Sequence, residues 1–114
     1  VTAAPITTEA PATTEAPTET TSQRNAVRKA EMYIDLMPFS QSGLVEQLEF
    51  EGYSTEDATY AVDRLDVDWN EQAAKKAEDY LNLMPFSRSG LIEQLEFEGF
   101  TPEQARFGVD SVGL

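Results

Sequence analysis

The chain writes one unit twice. Residues 37–52 read MPFSQSGLVEQLEFEG and residues 84–99 read MPFSRSGLIEQLEFEG, so Met37 aligns with Met84 at a period of roughly 47 residues. Across 26–67 and 73–114, 24 of 42 aligned pairs are identical. A period of this size is that of helical repeats, whose units bury surface against their neighbours. Each copy is about 45 residues long and has no cysteine, which is small for a core that must stand alone. Mutual support between the copies is therefore expected.

Each unit reads as three helices. Ala26, Val27, Ala30, Tyr33, Ile34 and Met37 follow the spacing of one helical face, and Ala73, Ala74, Ala77, Tyr80, Leu81 and Met84 repeat it. Pro38 and Pro85 disfavour helix at the methionine before them and end the run. Ser40 and Ser87 are N-cap residues for the second helix, with Phe39 and Leu44, or Phe86 and Leu91, placed as a hydrophobic staple. Leu44, Val45 and Leu48 form its buried stripe, and Gly52 and Gly99 stand where a left-handed cap would close it. Ser54 with Asp57, and Thr101 with Gln104, open the third helix as capping boxes. Ala58, Ala61, Val62 and Leu65 give that helix its apolar face. The short joint makes helices two and three a helix-turn-helix pair. Trp69 has no counterpart in the first copy, where Ser22 takes its place, and is expected to pack one unit on the other.

Residues 1–22, VTAAPITTEAPATTEAPTETTS, differ in kind. Thr, Ala, Pro and Glu dominate, and TTEAP occurs twice. Too few aliphatics are present to offset the entropy of ordering, and the prolines favour extended backbone, so a hydrated, disordered Thr/Pro-rich spacer is expected. The expected organisation is all-α: a spacer over 1–22, helical repeat one over 23–67 and helical repeat two over 68–114. The chain begins at Val1 rather than Met, consistent with the loss of an N-terminal segment.

Eight Lys and Arg face twenty-one Asp and Glu, for a formal net charge of −13. Such a surface is repelled by phosphate backbones and anionic lipid. The third helices, STEDATYAVDRL and TPEQARFGVDSV, hold too little Arg or Lys to read DNA, so the helix-turn-helix is not expected to bind nucleic acid. The chain has no histidine and no cysteine, which removes thiol chemistry and the commonest general base. The glutamates Glu46, Glu49 and Glu51, with their copies Glu93, Glu96 and Glu98, lack the cleft of a glycosidase and the D-x-D-x-D-G order of a calcium loop. No enzyme activity, cofactor or metal is expected. These six residues are instead the candidate surface for a basic polypeptide. Phe50, Tyr60, Phe97 and Phe107 lie off the main apolar stripes and are expected to fill a second core face, with a glutamate-rimmed partner groove as the other reading.

The segments NAVRKAEMY, S-x-S-G-L-[VI]-E-Q-L-E-F-E-G and DATYAVD closely resemble the repeat of the Ltp family of host-cell-surface lipoproteins, over about residues 25–112. The resemblance implies a lipidated cysteine, absent from this chain, anchoring the protein on the outer face of a Gram-positive cell membrane. It implies that the helix-turn-helix repeats bind protein rather than DNA; a monomer is expected. It further implies a role in superinfection exclusion, blocking injection of phage DNA by engaging a basic segment of the phage tape measure protein. A bacterial surface lipoprotein binding a host or envelope component, and a cation-binding module, are the other functions weighed.

Overall fold

A computed structural model describes residues 19–114. They form six helices: α1 Thr21–Leu36, α2 Gln41–Phe50, α3 Thr55–Asp63, α4 Trp69–Leu83, α5 Arg88–Phe97 and α6 Pro102–Ser111. No strand occurs among the described residues. The first three helices enclose one core and the last three another. In each unit the third helix packs on both of the others.

The local signals set the helix boundaries. Ser40 and Ser87 accept the amides of Gly43 and Gly90. Asp68 Oδ1 accepts from Asn70 and Glu71 at the head of α4. Thr101 and Gln104 close a full capping box, whereas Ser54 only accepts from Asp57 without the reciprocal bond. Both second helices end in a Schellman turn. Gly52 and Gly99 lie at φ +103° and +106°. Tyr53 and Phe100 donate back to Leu48 and Leu95 at 3.1 Å. L-residues with a side chain avoid that conformation, which is why glycine stands at both turns.

Core one holds Ala26, Ala30, Leu44, Leu48, Ala58, Ala61 and Val62, and core two holds Ala73, Ala77, Leu91, Leu95, Phe100, Ala105 and Val109. Alanine on the first and third helices and leucine on the second give a thin three-helix layer. Trp69, the first residue of α4, packs against core one, as expected of a residue joining the units.

Three expectations are corrected. Residues 1–18 of the expected spacer lie outside the described residues. Its last residues do not belong to it, because Thr20 caps α1 in a full capping box with Gln23, and Thr21 and Ser22 are helical. The TTSQ segment carries its own start signal, which the surrounding Thr-rich composition hides. Met37 and Met84 are extended cap residues with exposed side chains, because the following proline pulls them out of the helix before they can join its inner face. Phe50 and Phe97 are not second-face core: they are 86% and 85% exposed at the ends of α2 and α5, since a three-helix layer this thin has no partner to set over them. Phe107 is also exposed, and only Tyr60 of the four aromatics is half-buried.

Candidate functional site

A duplicated polar cluster locks each first helix to the end of each second helix. Lys29 and Tyr33 stand one turn apart on α1, and Gln47 and Glu51 one turn apart at the end of α2. Gln47 donates to the Tyr33 hydroxyl at 3.2 Å, and Lys29 pairs with Glu51 at 3.3 Å. Unit two repeats this: Gln94 donates to Tyr80 at 3.1 Å, and Lys76 pairs with Glu98 at 3.8 Å. Tyr80 also donates to the Glu98 carboxylate. Its phenol is pushed above the ordinary tyrosine range, first by burial and then by that hydrogen bond. Each tyrosine ring meets a phenylalanine edge-on, Phe39 or Phe86, with centroids 5.5 and 5.7 Å apart. The signal for this cluster was in the sequence: a Lys and a Tyr at i, i+4, and a Gln and a Glu at i, i+4, duplicated together.

The two units meet at a small polar seam. Ser40, only 3% exposed, donates to the Glu98 carbonyl at 2.6 Å while accepting from Gly43. Ser42 donates to the Gly99 carbonyl at 3.0 Å. Gln72, 4% exposed, accepts from the Phe39 amide at 3.1 Å. The head of α2 thus sits on the Schellman turn that ends α5. Asn25 aligns with Gln72 and Ser22 with Trp69, so the copies differ at these two residues of the seam, whereas Ser40, Ser42 and Gly99 recur as Ser87, Ser89 and Gly52.

Beside the seam lies a groove of about 420 Å³. Unit one contributes the 37–47 segment, including Met37 and Glu46; unit two contributes Lys76, Phe97 and Glu98. A second hollow of about 260 Å³ shares Lys76 and adds Asp79, Tyr80 and Leu83. Among the described residues no group of three metal-ligating side chains occurs, and no helix is long and apolar enough to cross a membrane.

The six candidate glutamates do not form one patch of equivalent charges. Glu51 and Glu98 hold the lysines of the duplicated cluster. Glu49 accepts from the Thr55 hydroxyl. Glu46, Glu93 and Glu96 have no side-chain partner among the described residues and are exposed. Only Glu46 and Glu98 border the groove. Sequence reasoning favoured burial for Phe50 and Phe97, with a glutamate-rimmed groove as the other reading, and made no reading of Leu36 and Leu83. Leu36, Leu83, Phe50 and Phe97 all project into solvent at matched positions of the two copies, and Met37 and Met84 are half-exposed.

These features define an all-α protein of tandem three-helix repeats, with charged and apolar side chains left open on its surface. The family model for host cell surface-exposed lipoproteins, Lipoprotein_Ltp, matches residues 21–65 and again 68–112. The chain belongs to this Ltp family. Among solved structures it is similar to that of Ltp, a superinfection exclusion protein from the Streptococcus thermophilus temperate phage TP-J34. The TM-score is 0.74 and the identity 33%, over 88% of this chain and 99% of that one. No curated protein matches the chain.

Proposed function

We propose that the protein acts in superinfection exclusion, blocking injection of phage DNA at the cell surface by binding a basic segment of the incoming phage's tape measure protein. The observation that carries this reading is the similarity to a superinfection exclusion protein along nearly its whole length, both repeats included. The surface charge fits it: a chain of −13 attracts cationic polypeptide and repels DNA. Within the acidic set, Glu46, Glu93 and Glu96 offer free charge, Glu49 offers one engaged carboxylate, and Glu51 and Glu98 serve mainly to hold the repeat together. In this reading the repeats stand off the outer face of a Gram-positive membrane on a lipid anchor, with the Thr/Pro-rich stretch as spacer.

The experiment is capture of tape measure fragments by the wild-type chain and by the triple variant Glu46→Lys, Glu93→Lys, Glu96→Lys, alongside phage challenge of a sensitive host displaying the lipidated protein. Binding should weaken as salt rises and fall by about tenfold or more in the variant, because complementary rim charges tune association. Normal DNA entry by every phage tried would refute the exclusion role.

A further inference from the structure

Among the described residues the groove at the seam is built once, although its parts are encoded twice. Four of its polar lining side chains, Ser40, Gln47, Lys76 and Glu98, are already engaged within the protein. The Ser40 hydroxyl donates to Glu98 and accepts from Gly43. Gln47 donates to Tyr33. Glu98 takes the Tyr80 hydroxyl and pairs with Lys76. Open to an occupant are three exposed apolar side chains, Met37 and Phe97 in the groove and Leu83 in the adjoining hollow. Two carboxylates, Glu46 in the groove and Asp79 in the hollow, have no ion-pair partner among the described residues.

We infer that this groove takes an amphipathic helix of the partner, seating apolar side chains between Met37 and Phe97 and presenting Lys or Arg to Glu46 and Asp79. The charge of the occupant follows from the two free carboxylates and the net −13. Its helical form follows from the absence of any strand edge among the described residues: an extended segment would find no backbone ladder to pair with, whereas a helix arrives with its backbone bonds made. A volume of about 420 Å³ is within the range of pockets that receive a few side chains. The inference rests on the proposed function for the identity of the partner but not for the chemistry of the groove.

The repeat supplies its own control. Phe50 and Phe97 end identical LEF sequences and are equally exposed, yet only Phe97 lines the groove. The probe is a model peptide of Lys and Leu patterned as an amphipathic helix, together with a version broken by a central proline; tape measure fragments form a separate arm. Titration calorimetry on the full chain should show the helical peptide binding and the proline version losing most of its affinity. Phe97→Ser should weaken binding about tenfold or more, as expected of an apolar anchor, and Phe50→Ser by less than about twofold. Met37→Ser against Met84→Ser repeats the comparison on a second pair. Equal effects of the two phenylalanine variants, or indifference to the proline, would overturn the groove assignment. If the peptide distinguishes Phe97 from Phe50 while no tape measure fragment binds, the groove stands and the proposed partner falls. If fragments bind without regard to Phe97, the reverse holds.

Discussion

Gly99→Ala and Gly52→Ala together measure what the seam contributes. Both glycines follow a second helix, both lie near φ +105°, and both make the same pair of turn hydrogen bonds. Alanine at either position incurs the same backbone strain, about 1–2 kcal/mol for a left-handed conformation. Their surroundings differ. A Cβ on Gly52 would meet nothing within 4 Å. A Cβ on Gly99 would stand 2.3 Å from the Ser42 hydroxyl and 2.7 Å from that of Ser40. Neither serine can move aside and keep its bond to the turn, so two hydrogen bonds across the seam are lost, at about 1 kcal/mol each. The expected losses are about 1–2 kcal/mol for Gly52→Ala and about 3–4 kcal/mol for Gly99→Ala. Urea unfolding followed in parallel by helical circular dichroism and by the fluorescence of the single tryptophan reads both, since Trp69 begins α4 and packs on core one. In Gly99→Ala the two signals should also separate, as the units uncouple and melt apart. Equal midpoints for the two variants, with coincident signals in both, would refute the seam as an energetic coupling.

Trp69→Ala removes the apolar part of the same joint. A half-buried tryptophan contributes about 2 kcal/mol by burial, so the melting temperature should drop by about 8–16 °C; no change would mean that the units melt as independent beads. The Tyr80 phenol titrates above its unfolded value of about 10 because burial and the bond to Glu98 favour the neutral form. Stability from this shift is complete below about pH 10 and is lost as pH rises through the folded pKa. Tyr80→Phe should therefore flatten the alkaline decline in stability, measured by denaturation at stepped pH, and an unchanged decline would remove Tyr80 as its cause.

How much of this was legible in the sequence depended on whether a feature is written locally. The caps at Ser40, Ser87 and Thr101 and the glycine turns are short-range, so their spacing alone located the helix ends. The inner faces followed from alanine and leucine at 3.6-residue spacing. Phe50 and Phe97 failed because periodicity gives the direction of a side chain around a helix, not whether another layer exists in that direction. Met37 and Met84 failed because the extended backbone imposed by the following proline overrides the phase of the preceding helix. The glutamates were legible as charge but not as roles: the ion pairs of Glu51 and Glu98 depend on where α1 and α4 present Lys29 and Lys76, which a helix-by-helix reading does not join.

Duplication here makes a surface that is not itself duplicated. The head of one second helix sits on the tail of the other, so the contact is heterologous and each copy uses a different half of itself. Ser40 and Ser42 are spent at the seam, while their copies Ser87 and Ser89 are exposed at the head of α5. Gly99 is covered, while Gly52 is open. A groove that needs the head of α2 and the tail of α5 together exists at one place in the described chain, and the residues that fix the relative placement of its walls, Gln72 and Trp69, are ones the first copy lacks. Identical residues therefore acquire unequal functions from position alone. A substitution at Phe97 cannot be compensated by its intact twin at Phe50, because Phe50 does not line this groove.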